Sequence, residues 1–325
     1  MTDLSWLKAL PFSPEESNFI LVLIGLLLLF VGGDRLIKGA VSIAEKLRLS
    51  KLLIGLTIVG MGTSAPELLV SLQSAQMGNP DMALGNIVGS NIANILLILG
   101  ISLTIAPVKN LEKGVRRDTI FMIMASVSLL ILGYFIKSGT IGIISGTSMI
   151  LALMVYLIVV YFQEKRKSSE KSEQSEDKTP LLMSLLWVTL GLIFLVVGAN
   201  ALVTGATGLA KQIGISDAVI GLTLVAVGTS LPELTVAILA SIRRESAVSL
   251  GNLIGSNIFN ILGILGTVAV ISPIKISSEM MSRDIPIMVL IAIVLGLIVL
   301  IRKKLDRVTG LIFMGAYGIY LSALF

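Results

Sequence analysis

Long apolar runs alternate with short polar stretches along this chain, and the runs set its architecture. Ten of them, at about 18–42, 52–75, 82–106, 119–136, 139–162, 181–208, 218–241, 248–272, 285–301 and 308–324, read as membrane-spanning helices. Each is long enough to cross roughly 30 Å of hydrocarbon at about 1.5 Å per residue, some with tilt. The polar segment 163–180 stands apart. It is rich in Ser, Lys and Glu, cannot bury a core, and is expected to be a disordered linker. It divides the chain into a first five-helix half, 1–162, and a second, 181–325. Met1 to Ser17 is mixed and partly acidic, with no basic start and no cleavage site, so the first run is read as a mature helix rather than a signal peptide.

The halves are repeats. A shift of 166 positions superimposes Gly32 on Gly198, Asp34 on Asn200, Gly39 on Gly205, Glu67 on Glu233 and Asn94 on Asn260 without a gap. Between Ile54 and Gly100 about half the positions match their partners, and internal repeats of this kind mark secondary transporters. Five spans per half is an odd number, so the second half should enter the membrane from the opposite side. The loop charges agree. With the N-terminus outside, about 20 basic residues fall inside and 5 outside, the bias that the positive-inside rule requires. Within the repeat, Asp34–Lys51 carries five basic residues, whereas Asn200–Asp217 carries only Lys211. The expected fold is therefore an all-α membrane protein of ten helices in two inverted repeats, with both termini outside and the linker cytoplasmic.

Composition narrows the chemistry. The chain is 55% apolar and 14% charged, as in a multi-span membrane protein. It has no histidine and no cysteine, which removes thiol nucleophiles, imidazole acid–base catalysis, zinc sites, haem ligation and disulfides. No phosphate-binding glycine loop is present, which argues against an ATP-driven pump. The net charge of +5 sits in the short loops, so it points to the bilayer rather than to nucleic acid.

Of the twenty acids, Glu67 and Glu233 alone lie deep inside apolar runs, and no Lys or Arg lies deep enough to pair with them. An acid at the centre of a membrane helix costs about 3 kcal/mol on insertion scales, so such residues are functional by default. Two carboxylates without a basic partner need protons or a metal cation. The bland alternative is that both are protonated and only hydrogen-bond between helices.

Their surroundings suit a hard cation. Glu67 ends Gly60-Met-Gly-Thr-Ser-Ala-Pro-Glu67, and Glu233 ends Ala226-Val-Gly-Thr-Ser-Leu-Pro-Glu233. Pro66 and Pro232 lack an N–H and clash with the carbonyl four residues back, so the second and seventh helices are expected to break near Gly62 and Gly228. A break at membrane depth is tolerated where the freed backbone meets protein or a polar cavity. The loosened carbonyls and the hydroxyls of Thr63, Ser64, Thr229 and Ser230 add oxygens, and calcium takes six to eight such ligands. A second doubled motif follows. Asn86, Ser90 and Asn94 recur every four residues along one helical face, as do Asn252, Ser256 and Asn260. Ser90, Asn94, Ser256 and Asn260 are expected to coordinate ions. For Asn86, Asn91, Asn252 and Asn257, polar contact between helices is an equal alternative. One calcium ion balances two glutamates, and so do two sodium ions or two protons. Such a site can exchange ions without another energy source.

The paired Gly-Thr-Ser-x-Pro-Glu and Gly-Asn-x-x-Gly-Ser-Asn-Ile-x-Asn motifs resemble the two alpha repeats of the sodium/calcium exchanger family, within the cation/calcium antiporters. The resemblance covers both halves. It implies that helices two, three, seven and eight surround the ions while helices one and six slide across them. It implies that Glu67 and Glu233 bind calcium, completed by the main-chain oxygens of Thr63 and Thr229. Ser64, Ser90, Ser230 and Ser256, with the backbone of Gly60 and Ala226, would form flanking sodium sites, and Asn94 and Asn260 would line the centre. Many relatives carry an aspartate at the position of Asn260, which makes potassium co-transport less expected here. The short linker implies no cytosolic calcium sensor and suggests a prokaryotic source.

The expected function is a sodium/calcium antiporter of the cell membrane, acting as a monomer on calcium and sodium with no cofactor and no enzymatic activity. Proton/calcium antiport on the same fold is the first alternative, and a passive cation channel the second. An intramembrane enzyme with Ser64 or Ser230 as nucleophile lacks a base.

Overall fold

Capping chemistry starts the first helix. In the computed structural model, which describes residues 13–111, 113–136, 139–168, 179–214, 228–302 and 304–323, Ser13 and Glu16 form a capping box before helix α1 (Pro14–Leu47). The Glu16 N–H donates to Ser13 Oγ at 3.2 Å, and the Ser13 N–H donates to Glu16 Oε2 at 2.8 Å. Pro14 occupies the first turn, where no intrahelical N–H is needed.

Helices account for almost all of the described chain. After α1 come α2 (Lys51–Thr63) and α3 (Ala65–Gln76), which meet at a 42° bend. Then follow α4 (Pro80–Ile105), α5 (Lys113–Phe135), α6 (Ile143–Ser168) and α7 (Leu181–Gln212). The second half continues with α8 (Leu231–Ile242), α9 (Ser246–Ile271), α10 (Met280–Arg302) and α11 (Arg307–Ser322). Seven of these are long and apolar enough to cross a membrane, and an eighth span results if the bent pair α2–α3 counts as one. Large apolar side chains lie exposed on the outer helices, among them Phe30, Ile144, Leu182 and Ile301, as in a protein solvated by lipid.

Polar residues do not end α6 where expected. The polar composition of 163–180 predicts disorder from residue 163 onward, but the helix continues to Ser168. Arg117 donates to Gln163 Oε1 at 3.0 Å and to Glu164 Oε1 at 3.3 Å, which ties this last part of the helix to α5. Residues 169–178 lie outside the described residues, as does 218–227 of the expected seventh span.

Helix α1 packs antiparallel on α7 along their whole lengths. Glycines set the approach: a Cβ on Gly32 would stand 2.9 Å from the Gly191 carbonyl, and one on Gly198 would stand 3.0 Å from the Gly25 carbonyl. Helix α2 runs just as close to α9. A Cβ on Gly55 would stand 2.7 Å from the Val248 carbonyl, and one on Gly255 would collide with the Leu56 backbone. The largest apolar core forms around α4, α5, α9 and α10.

Candidate functional site

Proline positions both glutamates. Pro66 and Pro232 each occupy the first turn of a new helix, α3 and α8, after a residue that has left helical geometry (Ser64 φ −82°, ψ 8°; Ser230 φ −89°, ψ 7°). The helix restarts there with Leu68 N–H on the Ser64 carbonyl at 3.2 Å and Leu234 N–H on the Ser230 carbonyl at 3.0 Å. Glu67 and Glu233 thus sit in the first turn of their helices, where the exposed N–H dipoles favour negative charge. Both carboxylates are buried, at 1% exposure.

Each half serves the other's acid. Ser230 Oγ donates to Glu67 Oε1 at 3.1 Å, and Ser64 Oγ donates to Glu233 Oε1 at 2.9 Å. Because each serine lies three residues before the glutamate of its own half, the reciprocal bonds bring both breaks and both carboxylates into one site. No third Asp or Glu joins them among the described residues.

The other expected ligands gather at the same place. Thr63 Oγ1 donates to Asn252 Oδ1 at 3.0 Å, and Thr229 Oγ1 reaches Asn86 Oδ1 at 3.5 Å. Ser230 Oγ also lies 3.5 Å from Ser90 Oγ. Ser256 Oγ donates to the Gly60 carbonyl at 3.2 Å, which joins two groups expected at a sodium site. Ala226 lies outside the described residues. Asn86, Asn91 and Asn257 bond between helices. Asn86 Nδ2 donates to the Glu67 main-chain oxygen at 3.2 Å and to Ser71 Oγ at 2.9 Å. Its repeat partner Asn252 has Ala237 where Ser71 would correspond, and its Nδ2 has no protein acceptor.

Among the described residues, four carboxylate or amide oxygens are buried without any hydrogen-bond partner: Glu67 Oε2, Glu233 Oε2, Asn94 Oδ1 and Asn260 Oδ1. An unpartnered buried acceptor costs about 1–3 kcal/mol, and more when charged. Four of them, two from each repeat, leave lone pairs that a ligand without acceptor atoms could meet. A dehydrated cation fits that description and needs no N–H or O–H geometry.

Three features escaped the sequence reading. The helices are π-wound at Asn94–Ile98 and Phe259–Leu265, beginning at or beside the two central asparagines. Asp118 and Asp284, at the starts of α5 and α10, are buried at 0% and 4% exposure. Arg117 Nε donates to Asp118 at 2.6 Å, Tyr156 Oη donates to it at 2.8 Å, and Arg283 Nε donates to Asp284 at 3.1 Å. The signal was an Arg-Asp pair recurring at the same 166-residue shift. Met122 and Met288, also repeat partners, contact the site's amides.

Comparison with known proteins settles the family. The model of the sodium/calcium exchanger protein family matches residues 17–162 and 183–325. The chain belongs to this family. Family membership makes it a membrane transporter that exchanges ions. It is 37% identical to the putative antiporter CaxA of Alkalimonas amylolytica, over 94% of this chain and 98% of that one. It is 30% identical to the sodium/calcium exchanger MaX1 of Methanosarcina acetivorans, over 95% and 98%. The fold is similar to that of the sodium-calcium exchanger NCX_Mj soaked with 10 mM Na+ and zero Ca2+, with a TM-score of 0.83 at 32% identity, over 95% of this chain and 99% of that one.

Proposed function

We propose that this exchanger couples sodium entry to calcium export by alternating access. Ten spans form two inverted five-helix repeats, with both termini outside and the linker in the cytoplasm. α8 belongs to the seventh span, and α11 is the tenth. The observation that carries the reading is the pair of buried carboxylates bridged by the serines of the opposite repeat, each with one oxygen, Glu67 Oε2 and Glu233 Oε2, left without a hydrogen-bond partner. Glu67 and Glu233 supply the charge for calcium, with the main-chain oxygens of Thr63 and Thr229. Ser64, Ser90, Ser230 and Ser256, with the backbone of Gly60 and Ala226, take sodium on either side. Asn94 and Asn260 line the centre.

Exchange follows from charge balance. The pair holds one calcium ion or two sodium ions but not both sets, since excess positive charge in a low-dielectric site is expensive. Releasing one ion therefore waits on the other. Ion flux tests the counter-ion directly. In liposomes loaded with sodium and diluted into sodium-free buffer, calcium uptake is expected to follow the sodium gradient. Uptake that ignores sodium and follows a pH step would move the assignment to proton/calcium antiport. Uptake with no counter-ion gradient at all would make the protein a channel.

A further inference from the structure

The two central amides are held by a relay that ends on sulfur. Asn91 Nδ2 lies 3.6 Å from Met288 Sδ and 3.4 Å from the Asn257 carbonyl, and Asn257 Nδ2 lies 3.5 Å from Met122 Sδ. The oxygens at the other end of these amides accept from the central pair. Asn260 Nδ2 donates to Asn91 Oδ1 at 3.0 Å, and Asn94 Nδ2 donates to Asn257 Oδ1 at 3.2 Å. That leaves the Oδ1 atoms of Asn94 and Asn260 buried and without a partner. All six side chains are at most 2% exposed, and they form three repeat pairs at the 166-residue shift.

An asparagine amide has one donating and one accepting end, and a thioether can only accept. The acceptors at the end of the relay, Met122 Sδ for Asn257 and Met288 Sδ together with the Asn257 carbonyl for Asn91, therefore fix its polarity. If Asn260 turned its amide over, Asn91 would have to turn too, which would set an oxygen against Met288 and an NH2 group toward the site. An NH2 group repels a cation, whereas an amide oxygen binds one. We propose that Met122 and Met288 are positioning residues. Acting through Asn257 and Asn91, they keep Asn94 and Asn260 with oxygen presented to the transported cation. The proposal rests on the reading that the cation binds beside Glu67 and Glu233.

The relay also accounts for asparagine at both central positions. An aspartate there presents oxygen whichever way it turns, so it needs no orienting partner. An amide must be told which end to show.

The test replaces sulfur at constant volume. The double variant Met122→Leu and Met288→Leu keeps the apolar bulk and removes both sulfur acceptors, leaving Asn257 Nδ2 with none and Asn91 Nδ2 with the Asn257 carbonyl alone. Its KM for calcium in sodium-driven liposome flux is expected to rise about tenfold, the scale of two modest hydrogen bonds. Its maximal rate and its melting temperature in detergent are expected to stay near those of the parent. The companion double variant Met122→Gln and Met288→Gln restores an acceptor and is expected to keep the parent KM. An unchanged KM in the leucine variant overturns the proposal. So does a rise in KM matched by loss of rate and melting temperature, or an equal rise in the glutamine variant. Should the leucine variant fail to fold, the glutamine variant alone decides. Glu67→Gln and Glu233→Gln run alongside: if they transport calcium normally, the site itself is misassigned, a failure distinct from that of the relay.

Discussion

Ser64 donates its hydroxyl to Glu233 at 2.9 Å, although 169 residues separate them in the chain. The bond spans the two repeats, and its counterpart, Ser230 to Glu67, returns the favour at 3.1 Å. Each carboxylate is therefore oriented by the half that does not carry it. Ser64→Ala or Ser230→Ala should weaken that orientation, at a cost of about 1–3 kcal/mol for the acceptor left bare. Under the proposed assignment both serines also face sodium. The half-maximal sodium concentration should accordingly rise more than that of calcium, as sodium titrations of exchange at fixed calcium will report.

The acids themselves should be indispensable. Glu67→Ala or Glu233→Ala is expected to abolish calcium binding, measured by isothermal titration in detergent. Glu45→Ala is the control. Glu45 is 39% exposed and stands 3.9 Å from Lys51, a loose surface pair worth under about 1 kcal/mol. It should bind calcium like the parent.

Backbone contact between α2 and α9 should tolerate no added methyl group. A Cβ on Gly255 would collide with the Leu56 backbone, and helices cannot part without disturbing Gly60 and Ser256 beside them. Gly255→Ala is expected to cost about 1–3 kcal/mol and to lower the melting temperature. Gly315→Ala, on α11 with open space around it, should leave the melting temperature unchanged or raise it slightly.

An ion pair marks one side of the molecule only. Arg243, just beyond α8, pairs with Asp34 on α1, and Lys51 holds Glu245 at 3.0 Å nearby. At the positions related by the repeat stand Asn200 and Met77, which cannot form such a pair. If α1 slides during transport, this bond breaks on one face without an equivalent forming on the other. Arg243→Gln should then shift the balance between inward- and outward-open states by about fivefold, for a pair worth about 1 kcal/mol. The check is the ratio of calcium half-saturation on the two faces of oriented vesicles.

Acid should loosen the start of α11. The Thr309 N–H, at 2.9 Å, and then its hydroxyl, at 2.8 Å, hold the Asp306 carboxyl below the usual aspartate range. The folded chain thus binds this proton more weakly than the unfolded chain. The contribution is complete above the ordinary aspartate value and fades as pH falls through the lowered one. Asp306→Asn retains a capping oxygen but cannot titrate. Its melting temperature should fall less steeply than the parent's as pH drops through the acidic range.

Much of this was legible in the residues. Burial of a carboxylate in an apolar run is visible without coordinates, and so is the Pro that breaks the helix before it. The repeat disclosed which serine would match which. What the sequence could not reveal was direction. That Ser64 serves Glu233 rather than Glu67 depends on how two broken helices cross, which is a matter of tertiary packing. The π-wound turns at Asn94 and Asn260 leave no local signature, because they use ordinary helix-forming residues. Asp118 and Asp284 looked like loop residues by position, although an arginine beside each one allows it to be buried. The helical run through Gln163–Ser168 is polar enough to suggest disorder, yet Gln, Glu, Lys and Arg are good helix formers and continue α6.

The seam between α1 and α7 carries a further implication. Gly25, Gly32 and Gly39 correspond through the repeat to Gly191, Gly198 and Gly205, all spaced by seven. Gly25 meets Gly198, the copy of Gly32, while Gly32 meets Gly191, the copy of Gly25. Reciprocity of that kind defines an isologous contact, the kind a two-fold dimer makes. One glycine pattern repeated every seven residues therefore builds both ends of the seam, and a change at any one glycine opens only one of two matched contacts.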